Sequence, residues 1–406
     1  MSTAGSRRPV DVPDSYHRFA GDAAAWLAAH VEELPDVDTD EGFAAHRAWE
    51  RTLHDAGWSG LSWPREYGGA GGDVLHEAIF AEEYERARGP VRITRPALRF
   101  LGPALMHTAD AAQRARWLPP MLAAGEIWCQ GFSEPGAGSD LAAVGTRAVR
   151  IGDGYVVDGQ KTWTTYGRHA DRMFALVRTG PPGAGRHGLT CLAIDLTGPG
   201  VDVRPIRQVH GRTGFAEVFL TGVRVPVTDR IGDEGDGWAI AMRLLSFERG
   251  PDAGGPARSR RRLAALAADV AAAGPGRDRA SDEREPGAPA ADLTAIGPDL
   301  DRAAVEGELG ALVARVHGYR CHTDRRVAAA WRGEQPGAES SVVKLYSSEL
   351  DLDVVELGLD LFGDERTAEG TPEFLDLWHS RAGRIYGGAA EIQRTVVADR
   401  LLGLPR

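Results

Sequence analysis

The chain has 406 residues, 43 % hydrophobic and 26 % charged, a globular composition with length for roughly two to three domains. A formal net charge of −11 argues against a nucleic-acid binder, which needs a basic face, and no apolar run approaches the roughly 20 residues of a membrane span. The N-terminal "MSTAGSRRPVDVPDSYHRF" lacks the apolar core of a signal peptide, and Cys129, Cys191 and Cys321 fit neither a disulfide framework nor a zinc site, so a reducing, cytoplasmic setting is expected.

Residues 14–125 read as helical. "YHRFAGDAAAWLAAHVEEL" and "AAHRAWERTLHDAGW" carry apolar residues at helical spacing. "WPREYGGAGGD" (63–73) is a Pro/Gly loop, after which "HEAIFAEEYERAR" and "AAQRARWLPPMLAAGE" resume the helical pattern, the proline pair ending or kinking the second. The period changes near residue 128. "AVRIGDGYVVDGQKTWTTY" (148–166) has β-type runs around Asp-Gly turns, a hairpin signal. "RMFALVRT", "GLTCLAIDL", "VDVRPI" and "AEVFLTGVRVP" follow as short strands, the spacing of a small antiparallel barrel or sandwich ending near Asp236. Helical character returns with "DGWAIAMRLLSFERG". The segment 272–299, rich in Pro, Gly, Ala and charge, reads as an insertion or linker. Three helices follow, in "DRAAVEGELGALVARVHGYRCHTDRRVAAAW", "SSVVKLYSSELDLDVVELGLDLF" and "GAAEIQRTVVADRLLG". The expected division is a helical domain over 1–126, a β-domain over 127–235 and a helical domain over 236–406. The basic residues are almost all Arg; Lys161 and Lys344 are the two lysines.

"WCQGFSEPGAGSDLAAVGT" (128–146) is the densest functional signal: a Gly-rich open loop with hydroxyls at Ser133 and Ser139 beside backbone N–H groups, able to wrap a flat polar ligand or a phosphate. It has no GxGxxG and no βαβ setting, which argues against a Rossmann dinucleotide site. "YGGAAEIQR" places Gly387 and Gly388 before a helix, where they mark either a plain turn or a close approach to a ligand. His317 and Cys321 share a helical face without an evident third ligand, so no metal is expected. No Gly-x-Ser-x-Gly elbow appears.

Together "FSEPGAGSD", "DGQKTWTTYG", "GRTGFAEVFLTGVRVP", "GDEGDGW", "SFERG" and "YGGAAEIQRTVVADRLLGLPR" resemble the acyl-CoA dehydrogenase family, in order from about residue 45 to the end. The resemblance implies an α+β architecture: an N-terminal helical domain, a central antiparallel β-barrel or sandwich and a C-terminal four-helix bundle. It implies FAD, oxidation of the Cα–Cβ bond of an acyl thioester, an electron-transfer flavoprotein or similar acceptor, and a homo- or hetero-oligomer. It places Phe132, Ser133, Gly138, Ser139, Trp163, Thr165, Ala389 and Glu391 at the cofactor, with the Thr165 hydroxyl near flavin N5, and Ser139, Arg249 and Tyr386 at the substrate. Read alone, Trp163 is also a buried strand tryptophan.

The chemistry needs a carboxylate to take the α-proton and hydrogen bonds to the thioester carbonyl. Many family members carry that Glu directly after a Tyr in the C-terminal motif, where this chain has Gly387; its backbone N–H can still serve the carbonyl. Other branches place the base on the helix after the β-domain, directly before an Arg, which here is Glu248. Read alone, Glu248 is also a solvated helix residue or the partner of a nearby Arg. The chain departs from the family at "RGPDAGGPARSRR", where Pro251 and Pro256 should break the helix. It lacks the Arg-x-x-Phe-Gly motif that reaches the FAD pyrophosphate across a subunit contact. Asp360 and Asp364 stand near the place of the usual Gly-Gly segment, and Ala389 replaces a common Thr. Two alternatives follow: a flavin monooxygenase or oxidase on the same fold, and a non-catalytic subunit completing a partner's flavin site.

Overall fold

The computed structural model describes residues 13–181, 183–248, 250, 252–273, 302–334, 337–363 and 368–405. By contacts the chain divides into two units: Ala28–Glu77 with Gly89–Gly250, and the described parts of Met1–Leu27, Ala78–Arg88 and Pro251–Arg406. The helices before the sheet are α1 (Asp14–His30), α2 (Asp40–Asp55), α3 (Val74–Arg86), α4 (Gly102–Thr108) and α5 (Ala111–Leu122). Local chemistry starts them. The Thr39 hydroxyl accepts from the Gly42 N–H at the head of α2, and Asp110 and Gln113 form a reciprocal capping box on α5. Pro119 and Pro120 fall inside the last turn of α5, which ends two residues later.

The strands are β1 (Trp128–Gly131), β2 (Arg147–Ile151), β3 (Gly154–Thr165), β4 (Arg172–Arg178), β5 (Leu189–Asp195), β6 (Val201–Ile206), β7 (Phe215–Pro226) and β8 (Arg230–Ile231). They pair in the order β6-β7-β3-β2-β4-β5-β8, with β1 added on β4. Of the expected antiparallel barrel or sandwich, the structure has the sandwich-like form, with some parallel pairing. The β6 and β8 ends do not pair, so the sheet is open, and both β1 and β2 run parallel to β4. Packing explains the sandwich-like form. Phe174 and Leu176 of β4 enter a core with α4, α5 and a following helix, α6 (Gly237–Glu248). Met173, Ala175 and Val177 enter another, with β3 and β7 residues Tyr155, Val157, Val218 and Leu220. A strand covered on both faces reads as a continuous apolar run, as "MFALV" does. Asp158-Gly159 is a bulge inside β3, with Gly159 at φ +154°, and the hairpin turn lies at 152–153.

In the other unit α7 (Gly254–Ala272), α8 (Arg302–Trp331) and α9 (Glu339–Phe362) share a core of Leu263, Leu266, Val316, Tyr319, Leu350 and Leu357, and α10 (Pro372–Gly383) and α11 (Ala390–Arg400) pack on α9. The helix break at "RGPDAGGP" is present: α6 stops at Glu248, and Pro256 lies in the first turn of α7, where a proline is tolerated. The segment 272–299, beyond the end of α7, lies outside the described residues from 274 onward.

Candidate active site

The Gly-rich loop leaves β1 at Gly131, where an added Cβ would sit 1.9 Å from Met173 Sδ, so glycine leaves room for the Met173 side chain. Phe132 turns into the core. Ser133 is half-buried, and Gly138 and Ser139 are exposed at the tip, with open space around the Gly138 position. Glu134 and Ala137 exchange two backbone hydrogen bonds across the turn.

What holds the loop is a pair that the sequence reading missed. The fully buried Lys161 ammonium donates to Glu134 Oε1 at 2.7 Å, to the Leu176 carbonyl at 2.6 Å and to the Phe132 carbonyl at 3.4 Å. The Glu134 carboxylate also accepts the Gly145 N–H at 2.6 Å and the Thr146 N–H at 2.9 Å, tying both ends of the loop together. Burial works against the Glu134 charge, but the Lys161 charge and the hydrogen bonds from Lys161, Thr146 and Gly145 outweigh it, holding the carboxyl below its usual range. The signal was available: in a chain whose cations are almost all Arg, a retained Lys marks a place for a compact ammonium.

The Thr162 N–H donates to the Ser133 carbonyl at 2.9 Å and lays the loop against β3. There the pairing with β7 slips between Lys161 and Thr164, and Trp163 takes a left-handed backbone with φ +56°. Its side chain is 57 % exposed, edge-on to Phe215 at 5.9 Å, which excludes the buried-strand reading. Thr165 is half-buried beside it. Strain spent on presenting a large aromatic face to solvent is characteristic of a ligand wall. These residues fit a flat aromatic cofactor such as a flavin.

Glu248 is the last residue of α6, partly exposed. At that place its carboxylate faces the negative end of the helix macrodipole. Ile240, Ala241 and Leu244 of the same helix join the core that holds Phe132, together with Ala97 and Leu101 of a π-helical turn, Ala97–Leu101, that the sequence did not announce. Phe247 packs on His107 at 5.5 Å, and Arg99 Nη2 donates to the Gly250 carbonyl at 2.7 Å, fixing the end of α6. Arg249 and Asp364 lie outside the described residues.

In the second unit the C-terminal motif is a tight connection between α10 and α11. Gly387 and Gly388 have φ +64° and +105°. Ala389 is the N-cap of α11 and supplies no side-chain cap; Glu391 is exposed in its first turn. The Tyr386 hydroxyl and His379 Nε2 are 2.9 Å apart, and Lys344 Nζ donates to the Gly383 carbonyl at 2.7 Å while lying 4.7 Å over the Tyr386 ring. Asp360 is exposed near the end of α9. His317 and Cys321 do meet, at 3.5 Å on α8, but no cluster of three metal-ligating side chains occurs among the described residues.

Models of three acyl-CoA dehydrogenase domains match the chain: the N-terminal domain over residues 13–126, the middle domain over 129–223 and the C-terminal domain over 290–402. "Acyl-CoA dehydrogenase IpdE1" of Mycobacterium tuberculosis is 38 % identical over 376 residues, 90 % of each chain. The structure titled "Tcur3481-Tcur3483 steroid ACAD" is similar with a TM-score of 0.79 at 26 % identity, covering 97 % of this chain and 99 % of that one. The ChsE4-ChsE5 complex from Mycobacterium tuberculosis is similar with a TM-score of 0.78 at 26 % identity, covering 98 % and 100 %.

Proposed function

The chain belongs to the acyl-CoA dehydrogenase family of flavin oxidoreductases, and from that premise we propose that it desaturates the α,β-bond of an acyl thioester with Glu248 as the base. The observation that carries the reading is the complementary pair of positions: glycine backbone at 387, and a carboxylate closing α6 at 248. Glu248 takes the α-proton. The Gly387 N–H donates to the thioester carbonyl and stabilises enolate-like charge. Trp163, Phe132, Ser133, Thr165, Ser139, Gly138, Ala389 and Glu391 are the residues we assign to the cofactor. Arg249 and Tyr386 are assigned to the substrate on the family resemblance alone. FAD, when bound, supplies the acceptor for the β-hydride. An electron-transferring flavoprotein is the expected partner for reoxidation.

A second reading is favoured by the absent Arg-x-x-Phe-Gly motif and by two similar structures named for a pair of proteins each. In it the chain is one member of a hetero-oligomer, and the likeness to a steroid dehydrogenase points to a polycyclic acyl group. Glu248→Gln separates the two roles. With FAD retained, anaerobic flavin reduction across a panel of acyl-CoA thioesters, aliphatic and polycyclic, should slow at least ~100-fold, the scale of losing a general base. Undiminished reduction by a substrate of the unaltered protein removes Glu248 as the base and leaves a flavin-completing subunit as the better account.

A further inference from the structure

Lys161 is the best-buried cation described in the chain, and it does more than neutralise Glu134. Its three acceptors lie on three segments: Phe132 at the loop entrance, Glu134 within the loop, and Leu176 on β4. Glu134 extends the network to Gly145 and Thr146, where the loop rejoins the sheet. The next residue along β3, Thr162, binds the Ser133 carbonyl, and Trp163 follows in its left-handed turn. Of the residues these segments carry, Ser139 and Trp163 are exposed and Ser133 and Thr165 half-buried.

We propose that Lys161, acting through Glu134, is a positioning residue that holds the 132–146 loop and the 162–165 segment in one ligand-ready arrangement. It rests on the function reading above for the identity of the ligand, FAD. Buried ion pairs contribute little net stability once desolvation is counted, and can be replaced by neutral groups without loss of fold, while removing one partner strands the other charge. Positioning and stability can therefore be separated. Lys161→Met strands Glu134. Adding Glu134→Gln removes that charge and keeps one of the two oxygens that accept the Gly145 and Thr146 N–H groups, but the bridge from the loop to the Leu176 carbonyl stays broken.

The test compares the unaltered chain with Lys161→Met, Glu134→Gln and the double variant. Three quantities are read: urea midpoint, amide exchange of 133–146 and 162–165 in the flavin-free protein, and FAD affinity by flavin fluorescence. The expected result is that the double variant regains most of the lost midpoint. Its loop amides should still exchange at least ~10-fold faster, and FAD should bind ~10- to 100-fold more weakly, the span of one or two charge-assisted hydrogen bonds. Recovery of all three together makes the pair merely structural and overturns the proposal, as does unchanged loop exchange in Lys161→Met. Should Lys161→Met not fold, Glu134→Gln and the double variant decide alone. A chain that takes up no FAD contradicts the function reading, while the exchange result still judges the positioning role.

Discussion

The two glycines of the C-terminal motif set different limits on what could stand there. Gly387, at φ +64°, lies close to the left-handed helical basin, and Gly388, at φ +105°, lies well outside it. An L-residue in the left-handed basin costs about 1–2 kcal/mol. The chain already bears that cost at Arg88, Ala124, Trp163 and Tyr166, all between φ +53° and +56°. Gly387→Ala should therefore destabilise the second unit by ~1 kcal/mol, and Gly387→Asn by less, since Asn visits this region most readily. Gly388→Ala should cost clearly more, up to ~3 kcal/mol, because its backbone is open to glycine almost alone. Equilibrium urea unfolding of the three variants at constant slope gives the ordering. Equal costs at the two positions, or a greater cost at Gly387, would refute the argument. A corollary concerns chemistry: at ~1 kcal/mol, the backbone does not forbid a Glu at 387, so Gly387→Glu in the Glu248→Gln background should fold.

Trp163 combines a left-handed backbone with a largely exposed ring, so Trp163→Gly should leave the flavin-free protein within ~1 kcal/mol of its original stability while weakening FAD binding; a loss above ~2 kcal/mol would show the ring to be structural. The depressed Glu134 carboxyl makes the loop acid-sensitive. Its folded pKa lies below the unfolded one, so its contribution is complete above the ordinary carboxylate range and is lost as pH falls through the folded value. Loop amide protection measured against pH should decline there in the unaltered chain and show no such step in Glu134→Gln.

The order of helices, strands and helices was legible because its signals are local and periodic: apolar spacing in α2 and α9, the hairpin joining β2 to β3, prolines at the break after Glu248. The parallel pairing of β1 and β2 with β4 was not, because register between distant strands leaves no trace in either segment. α10 went unread although "TPEF" carries a legible start, with the Thr371 hydroxyl capping the Phe374 N–H and Pro372 in the first turn. Of the proposed site, the loop and β3 segments were legible as motifs, and the structure adds that a hydrogen bond from Thr162 joins them. Lys161 was noted only as a rarity; that its charge is buried depends on the Glu134 loop and on β4, which only the folded sheet brings around it.

The scarcity of lysine has a practical side. The chain has two side-chain amines. Lys344 is partly accessible on α9, whereas Lys161 is sealed beneath the loop with all three protons engaged. An amine-directed reagent applied to the folded protein therefore marks Lys344 and passes over Lys161 until β3 and the loop come apart. A brief labelling pulse, read at the peptide containing residue 161, becomes a clock for the opening of that one element, with Lys344 as its internal standard and no substitution introduced.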